Sequence, residues 1–140
     1  MIDHDGERLI VYPSMLHGTD VDVSDTPDLA PIIAVLAAAS NGTTIISGCA
    51  RLRAKESDRI ESTLSLINTL GGNARADGNT IIVEGKNSLQ GGTVNSFNDH
   101  RIAMSAAIAS LICEDSVTID GAESVGKSFP SFFEIFESLN

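Results

Sequence analysis

Cationic side chains are scarce in this sequence, yet four of them lie within one short segment. The 140 residues carry nine Lys and Arg against 19 Asp and Glu, a formal net charge of −10. Arg51, Arg53, Lys55 and Arg59 all fall in this segment. Ammonium and guanidinium groups bind oxyanions through charge-assisted hydrogen bonds. The cluster therefore indicates either a site for an anionic ligand or a set of surface ion pairs, and the spacing leaves both open.

Glu56 lies inside this cationic segment and is the first candidate for proton transfer. Neighbouring cations favour its charged form, whereas a bound anion beside it would favour the protonated form. A carboxyl group under such opposing influences can serve as a general acid or base. Lys55 and Arg59 are four residues apart, so on one helix they would share a face.

A second polar group, at positions 98–101, combines an amide, a carboxylate, an imidazole and a guanidinium. These residues are Asn98, Asp99, His100 and Arg101, and they stand at the predicted start of a helix. The free N–H groups and the positive dipole end of a helix start already favour anions. His100 is therefore the histidine for which the sequence predicts a functional role.

Asp25 and Lys127 complete the candidate set. Asp25 lies just before a predicted helix that begins at Pro27, where it could instead act as a turn or N-cap residue. Lys127 lies just before the last predicted helix. An internal repeat gives Lys127 nearly the same place in the second half of the chain that Lys55 has in the first.

The elements that must position these residues recur at an offset of about 73 residues. Segment 6–12 parallels 78–84, and 41–48 parallels 114–121, in the order of their turn and strand signals. This period is too long for a solenoid unit and indicates duplication of a small α/β unit.

Each unit is predicted to contain the same series of strands and helices. β-branched runs predict strands, and apolar runs rich in small residues predict buried helices. The predicted strands are 8–12, 43–47, 80–84 and 116–120, and the predicted buried helices are 27–40 and 99–113. A final amphipathic helix carries four Phe at helical spacing, which we predict to pack in the core.

The predicted fold is therefore α/β (α+β). We predict a single domain at residues 1–140, made of two units at about 6–77 and 78–140.

Composition excludes several classes of function. The acidic balance argues against general binding of nucleic acid or of an anionic membrane surface. No apolar run reaches the roughly 18 residues of a membrane-spanning helix, and the acidic start is unlike a signal peptide. Cys49 and Cys113 are then predicted to be buried thiols of a cytoplasmic protein. No metal site is indicated.

Four motifs, in order along the chain, resemble those of the 5-enolpyruvylshikimate-3-phosphate synthase family. They are Asp25-Thr26-Pro27-Asp28, Leu52-Arg53-Ala54-Lys55-Glu56-Ser57-Asp58-Arg59, Asn98-Asp99-His100-Arg101-Ile102-Ala103-Met104-Ser105 and Lys127-Ser128-Phe129-Pro130. Each domain of that family contains three βαβαββ units. The resemblance thus implies that this chain holds about two of the three units of one domain, in the C-terminal part of the enzyme.

The resemblance also implies an activity. Enzymes of this family transfer the enolpyruvyl group of phosphoenolpyruvate to the 5-hydroxyl of shikimate 3-phosphate and release phosphate, without a metal or organic cofactor. The reaction serves aromatic amino acid biosynthesis, and glyphosate occupies the phosphoenolpyruvate site. The partners implied are the two anionic substrates and the missing N-terminal domain, which forms the other wall of the cleft. The lone chain is accordingly expected to be inactive.

Residue roles follow from the resemblance, position by position. Asp25 and Lys55 are implied to bind shikimate 3-phosphate, with Asp25 as base or acid at the hydroxyl and Lys55 also at the reacting oxygen. Glu56 is implied to protonate the methylene carbon. The residues implied to hold phosphoenolpyruvate are Arg59, His100, Arg101 and Lys127. Arg51 stands where some members have Asn, which leaves its role open.

Two alternatives remain at this level. The first is a fragment of the sister enzyme UDP-N-acetylglucosamine enolpyruvyl transferase, although the motifs around Lys55 and His100 favour the shikimate enzyme. The second is a free-standing anion-binding module without catalysis. Glu56 separates the module from the enzyme, because a pure binding site gains nothing from a carboxylate between cations.

Overall fold

The computed structural model describes residues 2–139. Met1 and Asn140, the two ends of the predicted domain, lie outside the described residues. The strands are β1 (Ile2–Asp5), β2 (Arg8–Val11), β3 (Asp20–Asp22), β4 (Thr43–Ser47), β5 (Asn73–Asp77), β6 (Thr80–Glu84), β7 (Gly92–Asn95) and β8 (Val117–Asp120). The α-helices are α1 (Ala30–Ala38), α2 (Arg59–Thr69), α3 (His100–Ala109) and α4 (Phe132–Ser138).

A four-stranded mixed sheet with the order β3-β4-β6-β5 is the centre of the fold. β3 and β4 are parallel, and β6 is antiparallel to both of its neighbours, with Ile45 opposite Ile82. β1 and β2 form a separate antiparallel hairpin, and β7 and β8 form a separate parallel pair. The sheet thus joins β3 and β4, the strands before and after α1, to the β5–β6 hairpin that follows α2.

The order of elements recurs along the chain. From β3 to β6 the order is βαβαββ, and from β7 to α4 its first four elements appear again. β4 and β8 both end at a left-handed glycine, Gly48 (φ 76°) and Gly121 (φ 75°). A Cβ at Gly48 would lie 2.4 Å from a carboxylate oxygen of Asp22, so this turn requires glycine. Each glycine opens a 3-10 turn, Cys49–Ala54 or Ala122–Lys127, so the same kind of turn follows the strand in both halves.

The core lies between the sheet and helices α1, α2 and α3. α1 and α3 approach each other closely because small side chains such as Ala34, Ala38 and Ala106 line their contact. Ile46 of β4 and Leu66 of α2 are fully buried beneath them. Burying each such side chain contributes roughly 1.5–3 kcal/mol. The core therefore fixes the starts of α2 and α3 relative to α1.

The structure differs from the predicted elements in a few places. Predicted helix 27–40 begins as a 3-10 turn, Pro27–Leu29, before α1, and predicted helix 99–113 ends as a 3-10 turn, Ser110–Ile112, after α3. β1 and β5 were not predicted, because neither carries a β-branched run. β5 reads Asn-Ala-Arg-Ala-Asp, and it forms because β6 offers it a paired edge.

The prediction that the phenylalanines pack in the core was wrong. Phe97 is 43% exposed and Phe129 is 39% exposed, and the other three are half-buried. Phe132 packs against its own neighbours, with ring centroids 5.8 Å from Phe129 and 6.0 Å from Phe136. The rings thus form a cluster on the surface around α4 and do not enter the sheet–helix core.

Both cysteines are free thiols. Cys49 is fully buried, as predicted, whereas Cys113 is only half-buried. Burial raises the pKa of both thiols above the ordinary value. Neither thiol is therefore poised to act as a nucleophile.

Candidate anion-binding site

Helix α2 begins at Arg59 because Asp58 caps it. The Asp58 side chain accepts hydrogen bonds from the backbone N–H groups of Ile60 (3.1 Å) and Glu61 (3.4 Å). Arg53 donates to the other carboxylate oxygen of Asp58 at 2.9 Å. Ile60 is fully buried and anchors the helix start in the core. The segment before α2 is thereby held against the protein, with Arg59 at its inner end.

Helix α3 begins beside it and is capped by Asp99, which accepts from the backbone N–H of Arg101 at 2.9 Å. The turn before it is unusual, because Phe97 (φ 54°) and Asn98 (φ 56°) both adopt left-handed backbone conformations. Such conformations cost about 1–3 kcal/mol each outside glycine. The Ser96 hydroxyl accepts from the N–H of Asn98 at 3.2 Å and helps to hold this turn. The turn places Asp99 in the interior of the protein.

Arg59 joins the two helix starts and is the centre of the site. Its side chain is 1% exposed. It donates to both oxygens of Asp99, from Nε at 2.7 Å and from Nη2 at 3.1 Å. It also donates from Nη1 to Asp28 at 2.6 Å and from Nη2 to Glu56. One buried guanidinium thus pairs with three carboxylates that come from three separate segments of the chain.

Arg59 and Asp99 are both ionised in the folded protein. Burial alone would lower the pKa of Arg59, but the hydrogen bond and charge of Asp99 raise it above its ordinary value. Burial likewise opposes ionisation of Asp99, yet Arg59, the N–H of Arg101 and the hydroxyl of Ser57 hold its pKa below the usual range. Both groups therefore remain ionised at neutral pH.

Asp28, like Arg59, is a residue at which several oppositely charged side chains meet. Its Oδ1 atom lies 2.9 Å from Nζ of Lys55 and 2.6 Å from Nη1 of Arg59. Its Oδ2 atom lies 3.7 Å from Nη2 of Arg101. The hydrogen bond from Lys55 is the main reason that the pKa of Asp28 lies below its ordinary value. Three cations predicted to bind anions therefore meet at one carboxylate of the chain itself.

Glu56 and His100 lie side by side at the same place. Nδ1 of His100 is 3.8 Å from Oε1 of Glu56, and His100 is 7% exposed. Among the described residues, the buried Nδ1 of His100 and the buried Nε of Arg101 have no hydrogen-bond partner. Most buried polar atoms in proteins are hydrogen-bonded, so these two nitrogens stand out as not held by another group of the described residues. The imidazole of His100 thus lies beside the Glu56 carboxylate without a hydrogen bond between them.

An open cavity of about 470 Å³ adjoins these groups. Asp25, Asp28, Arg51, Lys55 and Arg101 supply its charged lining. Asp25 is exposed and makes no side-chain hydrogen bond within residues 2–139, so the capping role considered for it is not seen. The cavity is large enough for a small polyanion and is open to solvent.

Lys127 lies outside this cavity lining. Its ammonium group donates to the backbone oxygen of Asn98, in the turn that precedes Asp99. Lys127 thus contacts the turn before α3, whereas Lys55 contacts Asp28 beside Arg59.

The sequence prediction for Lys55 requires a correction. Lys55 and Arg59 do not share a helix face, because Lys55 has an extended backbone (φ −96°, ψ −165°) and α2 begins only at Arg59. The two side chains nevertheless meet, because both donate to Asp28 Oδ1. Their convergence results from the turn between them and the approach of the α1 segment.

Asp28 and Asp99 both lie inside the quoted motifs, but only Asp99 belongs to a polar group that the sequence marks as a candidate site, and neither has a predicted role. The spacing of the cations fits both ion pairing and anion binding, and in the described residues the ion pairs are present. A signal for Asp99 existed, since an aspartate directly before a helix is a typical N-cap. No local signal could reveal that Asp28 faces Lys55 and Arg59 across 27 to 31 positions of sequence.

A metal ion has one geometrically possible location among the described residues. Glu56, Asp99 and His100 offer ligand atoms that lie within 4.8 Å of one another. Arg59, however, donates to both of these carboxylates. A guanidinium already provides the positive charge there, and a divalent ion would be repelled by it. The donor set therefore suits an arginine-centred network better than a metal.

The family model for EPSP synthase (3-phosphoshikimate 1-carboxyvinyltransferase) matches residues 1–136 of the chain. The chain belongs to the EPSP synthase family. The family predicted from the four motifs and the α/β fold class are both confirmed. The chain spans less than a third of the length of the curated relatives that it matches.

Individual members of the EPSP synthase family show the extent of the similarity. The 3-phosphoshikimate 1-carboxyvinyltransferase of Clostridium acetobutylicum is 49% identical over 126 residues, 90% of this chain and 29% of that protein. Its counterpart in Methanocorpusculum labreanum is 40% identical over 135 residues, 96% of this chain and 32% of that protein. An EPSP synthase structure from Acinetobacter baumannii matches with a TM-score of 0.81 and 35% identity, over 89% of this chain and 30% of that chain.

Within residues 2–139 of this EPSP synthase family member, no helix is both long enough and apolar enough to cross a membrane.

Proposed function

We propose that this chain is the C-terminal part of a 3-phosphoshikimate 1-carboxyvinyltransferase. The whole enzyme would transfer the enolpyruvyl group of phosphoenolpyruvate to the 5-hydroxyl of shikimate 3-phosphate and release phosphate. The observation that carries the proposal is the meeting of Lys55, Arg59 and Arg101 beside the Glu56–His100 pair. Cations next to a proton-transfer pair are what a reaction between two anionic substrates requires.

The cations of the site have distinct proposed roles. Arg59 and Arg101 hold the carboxylate and phosphate of phosphoenolpyruvate, because planar guanidinium groups bind such oxyanions through paired hydrogen bonds. Lys55 faces the cavity and contacts shikimate 3-phosphate and the reacting oxygen. Lys127 reaches the phosphate of phosphoenolpyruvate after leaving Asn98. His100 supports the phosphoenolpyruvate site through Glu56.

Proton transfer is assigned to Asp25 and Glu56. Asp25 accepts the hydroxyl proton of shikimate 3-phosphate as the new C–O bond forms at C2 of phosphoenolpyruvate. Glu56 donates a proton to the methylene carbon, which becomes a methyl group in a tetrahedral intermediate. The Glu56 carboxylate left by that step then takes back a proton from the methyl group, and the double bond forms again as phosphate leaves with the C–O bonding electrons. Fixed cations stabilise the negative charge of this intermediate.

The lone chain is proposed to be inactive, because it supplies only one wall of the site. A site open to water neither aligns two substrates nor excludes solvent from the reaction. The proposed partners are the two substrates and the rest of the enzyme, and the proposed location is the cytoplasm. The recurring order of elements supports the proposed division into units at about 6–77 and 78–140.

A chimera tests this function directly. In it, this chain replaces the matching segment of the Clostridium acetobutylicum relative. We expect the chimera to release phosphate from phosphoenolpyruvate only when shikimate 3-phosphate is present, and the lone chain to release none. Turnover by the lone chain would contradict its proposed role as a fragment. A folded chimera that binds both substrates without turnover would favour the anion-binding module instead.

Replacing Arg101 with alanine should raise the KM for phosphoenolpyruvate far more than the KM for shikimate 3-phosphate. Arg101 has a buried Nε atom without a partner and the longest contact to Asp28 of the three cations, so it retains free donors for phosphoenolpyruvate. In the chimera we expect the KM for phosphoenolpyruvate to rise about 10- to 150-fold, as charge-assisted hydrogen bonds contribute about 1.5–3 kcal/mol, with a much smaller change for shikimate 3-phosphate. Arg75→Ala, on the exposed strand β5, is the control that removes the same charge elsewhere. Equal losses for both substrates would contradict the assignment.

A further inference from the structure

Lys55 and Glu56 lie in a loop, residues 53–58, whose main chain is weakly held. Lys55 follows the 3-10 turn Cys49–Ala54 with an extended backbone, and α2 begins only at Arg59. Within residues 2–139, no backbone-to-backbone hydrogen bond involves residues 55–57. The place of the Lys55 and Glu56 side chains therefore depends on how the two ends of the loop are fixed.

Arg53 joins these two ends. Its Nη1 atom donates to Oδ2 of Asp58 at 2.9 Å, which closes the loop from its first residue to its last. The same Nη1 atom lies 3.6 Å from Oε1 of Glu61, in the first turn of α2. The loop is thus closed around Lys55 and Glu56 by a side chain and not by secondary structure.

Arg53 also attaches the loop to the turn between β5 and β6. Its Nη2 atom donates to the backbone oxygen of Gly78 at 2.9 Å, and its Nε atom donates to Oδ1 of Asn79 at 3.1 Å. The backbone oxygen of Asn79 accepts from the N–H of Cys49 at 3.1 Å, at the start of the 3-10 turn that leads to the loop. Because β5 and β6 belong to the central sheet, the loop is tied to the sheet at this point.

These contacts leave Arg53 unsuited to the other two roles open to a cation of this segment. Each of its three side-chain nitrogen atoms already has a partner in the chain, and Arg53 does not line the cavity, so it is not placed to bind a ligand there. Its side chain is 41% exposed, and an exposed ion pair such as Arg53–Asp58 contributes little to stability. The geometry fits best with a role in holding the loop.

We propose that Arg53 is a positioning residue, which closes the loop 53–58 against the β5–β6 turn and so fixes where Lys55 and Glu56 lie. It acts through the loop and touches neither substrate. Only a guanidinium group can serve all these acceptors, because it presents five N–H donors in a rigid plane. The effect on turnover rests on the proposed function, whereas the order of the loop depends only on the chain.

Arg53→Lys in the chimera tests the effect on turnover, because lysine keeps the charge and loses the planar set of donors. We expect kcat to fall about 10- to 100-fold, the effect of displacing a reacting group slightly. The KM for shikimate 3-phosphate should rise as Lys55 moves. The KM for phosphoenolpyruvate should change far less, because Arg59 is buried and Arg101 belongs to α3.

Arg75→Lys is the matched control for this variant. Arg75 lies on the exposed strand β5, so the same substitution there should leave kcat and both KM values unchanged. A general effect of replacing arginine by lysine on the surface would appear in both variants. The positioning role of Arg53 would appear in only one.

A second measurement uses the 140-residue chain and needs no turnover. Backbone ¹⁵N relaxation reports motion on the picosecond to nanosecond scale for each amide. Arg53→Lys should increase this motion at residues 55–57 and leave α2 unchanged, while the urea midpoint of unfolding moves little. A residue that merely stabilised the fold would lower the midpoint without loosening this loop selectively.

Three results would overturn the proposal. They are an active Arg53→Lys chimera with the full kcat, a KM for phosphoenolpyruvate that rises as much as the KM for shikimate 3-phosphate, and loop amides that move no more in the variant than in the unmodified chain. An unmodified chimera without turnover would instead contradict the proposed function, and the relaxation measurement would then decide this inference alone.

Discussion

Replacing Asp99 with alanine is expected to cost the chain about 3–5 kcal/mol of unfolding free energy, the usual effect of removing one partner of a buried ion pair. Arg59 would keep its charge at a position that is 1% exposed, without the two hydrogen bonds to Asp99. The cap of α3 would be lost as well. A domain of this size is stable by only about 5–15 kcal/mol, so the variant is expected to be at the limit of folding. Urea unfolding followed by circular dichroism measures the change.

Asp58→Ala is the matched control for the loss of a helix cap. Asp58 caps α2 as Asp99 caps α3, but its charged partner, Arg53, is exposed. Loss of a cap alone costs about 1 kcal/mol, so the difference between the two variants isolates the buried ion pair. A cost for Asp99→Ala no larger than that for Asp58→Ala would contradict the central role of the Arg59–Asp99 pair.

The same pair predicts a pH dependence. The folded pKa of Asp99 lies below its unfolded value of about 3.9. Its contribution to stability is therefore complete above the unfolded value and is lost as the pH falls through the folded value. Asp99→Asn removes this titration, so its unfolding free energy should fall less steeply with acid than that of the unmodified chain. Parallel acid profiles for the two proteins would contradict this origin of the acid sensitivity.

The sequence was sufficient for elements whose pattern is local. Strands β4 and β6 have the predicted bounds, because runs of β-branched residues specify strands within a few positions. The edge strand β5 was missed, because its conformation depends on pairing with β6 and not on its own residues. The Phe cluster was misjudged for a related reason, since helical spacing shows that residues share a face but not what covers that face.

The cations and Glu56 of the candidate site were predictable, but the pairing of Asp28 and Asp99 with Arg59 was not. Lys55, Arg59 and Arg101 stand out by charge in an acidic chain, and Glu56 by its position among them. Asp28 and Asp99 are two of 19 acidic residues, and only the packing of α1, α2 and α3 brings them to Arg59. That packing joins three segments that are distant in sequence, and no periodic pattern of residues in the sequence predicts it.

Glu56→Gln should reduce the kcat of the chimera by about 10²–10⁴-fold, the usual contribution of a positioned general acid or base. The amide retains the shape of the side chain and an acceptor for Arg59 but has no proton to donate to the methylene carbon. Substrate affinity should change far less than kcat, because substrate binding is assigned to the cations of the site and not to Glu56. Steady-state phosphate release and substrate titration together separate the two effects.

Glu61→Gln provides the control for this variant. Glu61 lies five positions further along the chain, is exposed, and contacts only Arg53 (3.6 Å) among the cations of residues 2–139. The substitution is chemically identical, so its kcat should stay within about twofold of the parent, because an exposed ion pair of this kind contributes little. A Glu56→Gln chimera with full kcat would exclude Glu56 as the proton donor. His100, whose Nδ1 lies 3.8 Å from Glu56, would then be the next residue to test as the proton donor.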